Sequence, residues 1–147
     1  MKNTLIIGAC LLFAQQLATA QTSTYKPVEG KIMTEWATQV TPENVHQEYP
    51  RPQMTRENWV NLNGLWDYAI KPKGQAVPTS FDGEILVPFA VESALSGVGK
   101  TVGKDNELWY NTTFNTPKKS SKDKVLLHFG ASDWETEVFV NGQSVGM

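Results

Sequence analysis

The stretch GLWDYAI, residues 64–70, decides the fold class because its apolar side chains repeat with a period of two. In an extended chain, successive side chains point to opposite faces, so every second residue lies on the same face. Trp66, Tyr68 and Ile70 would therefore share one face. This alternation predicts a half-buried β-strand rather than a helix.

Four segments downstream have the same character as this strand. Each is short, rich in aliphatic, β-branched or aromatic residues, and bounded by proline, glycine or polar residues. They are residues 84–88, 108–114, 124–129 and 134–140. The last runs into Asn141-Gly142, a dipeptide typical of a tight hairpin turn. Because no long stretch shows a helical stripe, the sequence predicts an all-β fold, an antiparallel β-sandwich.

The first twenty residues have the features of a cleavable secretory signal peptide. Lys2 precedes an apolar run too short to span a bilayer, and Ala18 and Ala20 form an A-x-A cleavage site. We therefore expect cleavage after Ala20 and a secreted or periplasmic protein. The alternative is a lipid anchor on Cys10, at the end of the string IGAC. We favour the signal peptide because the apolar run continues beyond Cys10.

The rest of the chain is interpreted as an extended leader, residues 21–49, followed by a β-domain, residues 50–147. Cys10 is the only cysteine, so the domain is expected to lack disulfides and thiolate chemistry. Thirteen basic and fifteen acidic residues are scattered, which argues against nucleic acid or an anionic membrane as partners. His46 and His128 have no other ligand residues at suitable spacing, so we predict no metal and no cofactor.

The string GVGKT, residues 97–101, superficially matches a phosphate-binding loop. That motif requires glycine where this chain has Ala94, a strand running directly into the loop and a helix leaving it. Here Pro88 ends the preceding strand, and the residues after Thr101 lead to another strand. We therefore predict that the chain binds no nucleotide.

Four segments in fixed order resemble the N-terminal sugar-binding domain of family 2 glycoside hydrolases, the β-galactosidase and β-glucuronidase family. They are ENWVNLNGLWDYAI (57–70), ILVPFAVESALSGVGK (85–100), ELWYNTTF (107–114) and VLLHFGASDWETEVFVNGQSVG (125–146). The resemblance implies a jelly-roll sandwich, similar to galactose-binding domains. In complete family members it is followed by an immunoglobulin-like sandwich and a (β/α)8 barrel with two catalytic glutamates.

This resemblance also implies that the jelly roll is incomplete at its C-terminus, because relatives continue with further strands after the hairpin at 141–142. We expect a truncated gene product, an incomplete reading frame or an expressed fragment. Without a returning strand, Val138 and Val140 would lie on an unpaired edge with uncovered apolar surface. The sequence therefore predicts poor stability for the chain in isolation.

No catalytic residue is assigned. Asn106-Glu107 matches the Asn-Glu pair that carries the acid/base in the family, yet it lies in the NELWY segment of the sandwich. Retaining glycosidases also need a second carboxylate about 5 Å away, and none with a defined relation to Glu107 can be identified. A polar strand start is therefore the favoured interpretation.

Asp133 and Trp134 are the candidate substrate-binding residues, at the start of a predicted strand near a sandwich end. A carboxylate accepts hydrogen bonds from sugar hydroxyls, and an aromatic face stacks on the sugar ring. A structural interpretation is favoured, because Trp134 shares its predicted face with Val138 and Val140 while Asp133 suits a turn. The other tryptophans near strands are interpreted as packing residues: Trp59, Trp66 and Trp109.

Two functional classes follow. The first is a non-catalytic domain of a secreted glycoside hydrolase, whose partners would be a β-glycoside and the remaining domains of the parent enzyme. The second is a free-standing carbohydrate-binding or adhesion module. A barrel encoded downstream would favour the first, and unrelated sequence after a stop would favour the second.

Overall fold

The computed structural model describes residues 25–118 and 120–147. The signal peptide and the alternative anchor at Cys10 lie outside the described residues. Helix is limited in this part of the chain to two short 3-10 turns, Glu35–Gln39 and Pro52–Met54. Across the same residues, no helix has the length and apolar character needed to cross a bilayer.

The strands form two antiparallel sheets within the described residues. The central strand β1 pairs with β2 on one side and with β3 on the other, while β4 and β5 form a separate hairpin. Their bounds are Gly64–Pro72 (β1), Gly83–Val87 (β2), Asn106–Asn111 (β3), Val138–Val140 (β4) and Gln143–Gly146 (β5). The predicted all-β, antiparallel fold is confirmed.

The core lies on the face of β1 that the period-two pattern predicts. Buried Tyr68 from β1, Ile85 from β2 and Val91 from the β2–β3 loop (residues 88–105) form its centre. Partly buried apolar side chains surround them: Trp66, Ile70, Val87, Val98, Val102 and Leu108. The loop therefore covers one face of the three-stranded sheet. The hairpin contacts the sheet through Trp109 and Phe139, whose ring centroids are 6.1 Å apart.

The strand predicted over residues 124–129 is wrong. These residues form neither helix nor strand, and their backbone makes no hydrogen bond to another described backbone group. Leu126 is 62% exposed and Leu127 is 42% exposed, so side chains on both sides of the segment meet solvent. A β-prone composition produces a strand only where a neighbouring strand supplies partners. No described strand pairs with this segment.

The expectation that the hairpin lacks its returning strand is also wrong. Asn141 and Gly142 form the turn with φ values of 50° and 77°. Beyond it, Gln143 pairs with Val140 and completes the hairpin through β5. The sequence QSVG has too few apolar residues for its strand character to appear in the periodicity.

Trp134 does not belong to the core, contrary to the structural interpretation of its sequence. Its side chain is 84% exposed. The sequence predicts a strand over residues 134–140, whereas β4 begins only at Val138. Since alternation of faces holds only within a strand, the position of Val138 says nothing about Trp134.

The described part of the leader is anchored to the β2–β3 loop rather than free in solvent. The Tyr25 hydroxyl donates to the carbonyl of Leu95 at 2.7 Å, and the Val28 N–H donates to the carbonyl of Ala94 at 2.9 Å. Two leader side chains farther along are buried: Ala37 and Val45. The hydrogen bonds of Tyr25 and Val28 join residues about seventy positions apart in the sequence, and no local sequence pattern reveals such contacts.

Candidate functional site

The β2–β3 loop contains the string that resembles a phosphate loop, and it is organised around the buried side chain of Ser96. Ser96 Oγ accepts hydrogen bonds from the N–H groups of Val98 at 3.0 Å and Gly99 at 3.3 Å. The same hydroxyl lies 2.8 Å from the carbonyl oxygen of Ser93, to which it donates. A phosphate loop directs such N–H groups at a phosphate. Here they are committed to a side chain of the loop itself.

Gly97 and Gly99 allow the leader to approach this loop. Both have positive φ values, 77° and 65°. A Cβ atom on Gly97 would lie 3.2 Å from the ring of Tyr25, and one on Gly99 would lie 2.9 Å from Cε of Lys31. The glycines of the GVG string therefore provide backbone freedom and room for the leader.

Asn106 and Glu107 hold the backbone around β3. Asn106 Nδ2 donates to the carbonyl of Val102 at 2.7 Å, and Glu107 Oε1 accepts from the N–H of Gly74 at 3.0 Å. Glu107 thereby ties the turn after β1 to the neighbouring strand. A general acid must point its carboxyl group at the substrate. Both side chains make structural hydrogen bonds here, and the absence of a catalytic residue stays a prediction.

Asp133 and Trp134 lie together on the exposed surface before β4. The hydroxyl oxygens of Ser132 and Thr136 are 2.6 Å apart and close this part of the chain into a tight bend. The open indole face is available for stacking, and the adjacent carboxylate can accept hydrogen bonds. The arrangement is chemically suited to a sugar, and a role of the pair in binding one stays a prediction.

The three tryptophans interpreted as packing residues, Trp59, Trp66 and Trp109, are partly buried, as that interpretation predicts. Trp66 Nε1 donates to the carbonyl of Leu62 at 2.7 Å. The indole N–H groups of Trp59 and Trp109 are buried and have no acceptor in the described part of the chain. Unpaired buried donors of this kind cost stability.

Neither histidine is placed like a metal ligand. His128 packs against Trp59, with ring centroids 5.8 Å apart. His46 Nδ1 lies 3.3 Å from Glu48 Oε1 on the surface. Among residues 25–118 and 120–147, no three His, Cys, Asp or Glu side chains are grouped so that they could hold a metal ion.

A polar surface that the sequence did not indicate lies beside the turn after β1. Lys71 Nζ donates to Asp82 Oδ1 at 2.9 Å, and the Ile70 N–H donates to Asp82 Oδ2 at the same distance. These two hydrogen bonds, that from Lys71 foremost, lower the pKa of Asp82. From the β2–β3 loop, Lys100 Nζ donates to the hydroxyl of Tyr68 on the central strand β1 at 3.1 Å, which raises the pKa of Lys100.

Next to this surface is an open groove of about 440 Å³, lined by Lys71 and residues 75–80. Its one charged lining residue is Lys71, whose ammonium group is already paired with Asp82. Lys71 and Asp82 meet because β1 pairs with β2 in a particular register, with Tyr68 opposite Gly83. The sequence alone does not fix that register.

Comparison with known proteins relates the chain to a glycoside hydrolase. No family model matches it. It is 25% identical to a β-glucuronidase of Paenibacillus borealis, over 66% of this chain and 17% of that protein. The chain therefore spans less than a fifth of the length of this relative.

Proposed function

We propose that this chain is the N-terminal, non-catalytic sugar-binding domain of a secreted family 2 glycoside hydrolase, with a jelly-roll sandwich as its complete fold. The similarity to a β-glucuronidase is the observation that carries the proposal. The all-β antiparallel fold agrees with it. The partners of the domain would be a β-glycoside and the remaining domains of the parent enzyme.

A non-catalytic role is supported by the environment of Glu107. Its carboxylate accepts a backbone hydrogen bond from Gly74, whereas a retaining glycosidase needs two carboxyl groups facing one another across the sugar. The reaction would therefore be carried out by other domains. This domain would supply contacts to the sugar or support for the active site.

The proposed sugar contact is the pair Asp133 and Trp134. The exposed indole would stack on the apolar face of a pyranose, and the carboxylate would accept hydrogen bonds from its hydroxyl groups. The exposure of Trp134 also favours the alternative, a free-standing carbohydrate-binding or adhesion module. A surface pair of this kind could bind a glycan without a barrel beside it.

The proposal includes export, with removal of the first twenty residues at the A-x-A site. Mass spectrometry of the exported protein should give a mass that begins at Gln21. An intact Met1, or a lipid on Cys10, would be incompatible with this part of the proposal.

Calorimetric titration with methyl β-glucuronide, β-galactoside and β-mannoside tests the sugar contact. Replacement Trp134→Ala should weaken the best of these affinities by about threefold to tenfold, the effect of losing one aromatic contact. The matched control is Trp36→Ala, because Trp36 is also well exposed, at 63%, and lies in the leader. Absence of binding by the parent chain, or equal loss in both variants, would refute the contact.

A further inference from the structure

The dipeptide Asn-Gly occurs twice in this chain, at residues 63–64 and 141–142. In this dipeptide the backbone nitrogen of the glycine can attack the side-chain amide of the preceding asparagine. The two groups belong to one short segment, and glycine has no side chain to obstruct their approach. Because the two copies lie in different surroundings, they separate the effect of the fold on this reaction from the effect of the sequence.

The first copy, Asn63-Gly64, is held in place by contacts with residues on both sides of it in the chain. Asn63 Nδ2 donates to the carbonyl of His46 at 3.1 Å, and the Asn63 N–H donates to Asn61 Oδ1 at 2.7 Å. Gly64 is buried and pairs with Val87 in the sheet. The side-chain amide and the glycine backbone are thus both engaged elsewhere, so their reaction with one another requires that this region first open.

The second copy, Asn141-Gly142, forms the two-residue turn between β4 and β5. The ladder pairs Val140 with Gln143, so the two turn residues lie outside it. Their φ values of 50° and 77° are those that such a turn requires. The N–H of Gly142 makes no backbone hydrogen bond to another described residue. The geometry of the turn itself leaves this nitrogen out of the ladder, whatever lies around the hairpin.

We propose that Asn141 is a site of spontaneous deamidation and isomerisation, and that the fold protects Asn63 from the same reaction. The Gly142 nitrogen forms a bond to Cγ of Asn141 and gives up its proton, while the bond from Cγ to Nδ2 breaks. Ammonia leaves, and a succinimide ring remains. Water then opens the ring at either of its carbonyl carbons. The products are aspartate and isoaspartate, in which the backbone runs through the former side chain.

The isoaspartate product changes the hairpin, because it adds a methylene group to the backbone between residues 141 and 142. The length of a two-residue turn fixes the register of the strands that it joins. The longer backbone would therefore weaken the pairing of Val140 with Gln143 and of Phe139 with Ser144. The aspartate product adds only a negative charge, and aspartate tolerates the left-handed conformation of the turn.

The effect on the hairpin is tested with the variant Asn141→Asp, which carries the added charge without the added methylene. In nuclear magnetic resonance spectra, contacts between Phe139 and Ser144 across the hairpin should be weaker in the isolated isoaspartate form than in the parent. The variant should retain these contacts. An isoaspartate form with unchanged contacts would overturn the effect on the hairpin.

The site itself is tested by incubating the purified full chain in mildly alkaline buffer, followed by trypsin digestion and mass spectrometry. Cleavage after Arg56, Lys71 and Lys124 places the two asparagines in separate peptides, and a digest at time zero corrects for reaction during digestion. In native buffer, Asn141 should lose its amide at least about tenfold faster than Asn63, because reaction at Asn63 waits for local opening.

The control is the same chain in concentrated urea, where the two asparagines should react at comparable rates because each precedes a glycine. In native buffer, an Asn63 that reacts as fast as Asn141 or faster would overturn the proposal. An Asn141 that stays intact in native buffer over the time in which it reacts in urea would overturn it equally.

Discussion

Lys31 lies against Gly99 so closely that a Cβ atom on the glycine would stand 2.9 Å from Lys31 Cε. The Lys31 ammonium group then donates to the carbonyl of Glu92 at 2.7 Å. The glycine-rich string of the β2–β3 loop is thus one side of a contact between the leader and the loop. Its similarity to a phosphate loop arises from the same need for backbone freedom and close approach.

Replacement Gly99→Ala should lower the free energy of unfolding by about 1–3 kcal/mol, because it combines a left-handed backbone conformation with a steric clash. Gly74→Ala is the control, since Gly74 has a φ of 76° but nothing within 4 Å of its Cβ position. Urea denaturation of both variants separates the clash from the backbone cost. Equal losses of stability would mean that the leader does not constrain this glycine.

Ser96→Ala should destabilise the chain by about 1–3 kcal/mol, because the N–H groups of Val98 and Gly99 would lose their buried acceptor. Their amide hydrogen exchange should accelerate more than that of the β1 amides. The exposed hydroxyl of Ser80 makes no hydrogen bond within the described residues, so Ser80→Ala provides a neutral comparison. Unchanged exchange at Val98 and Gly99 would show that Ser96 does not organise the loop.

Asp82→Asn should make the stability of the folded chain depend less on pH in the acid range. The hydrogen bond from Lys71 lowers the pKa of Asp82 in the folded chain. Its contribution is therefore fully present above about pH 3.9, the ordinary aspartate pKa, and is lost as the pH falls through the lower folded value. Thermal melts between about pH 5 and pH 2 would reveal it. The exposed Asp105, changed to Asn, is the comparison, and identical profiles for the two variants would contradict the assignment.

The parts of the fold that the sequence predicts are those determined by local pattern. The alternation in residues 64–70 gives β1 and its buried face, and Asn141-Gly142 gives the hairpin turn. The 124–129 segment has equally strong strand composition but no described partner strand, and composition does not supply one. Conversely, β5 forms from a polar sequence because the turn brings it beside β4.

In the candidate site, too, local sequence pattern predicts some features, while others depend on contacts between distant residues. The position of Glu107 next to a strand sequence predicts a structural role, and its carboxylate does accept a hydrogen bond from the Gly74 N–H, while the absence of catalysis stays a prediction. The exposure of Trp134 could not be anticipated, because it depends on where β4 begins. The pairing of Lys71 with Asp82 and the anchoring of Tyr25 depend on contacts between distant parts of the chain.

The most direct test of the central claim, a non-catalytic domain related to glycoside hydrolases, is a hydrolysis assay on the purified chain with aryl β-glucuronide, β-galactoside and β-mannoside. We expect no turnover above a buffer blank, both for the parent and for Glu107→Gln. The glutamine keeps an oxygen that can accept the hydrogen bond from Gly74, so this variant should remain folded. Turnover by the parent that disappears in Glu107→Gln would contradict the account and make Glu107 a catalytic residue.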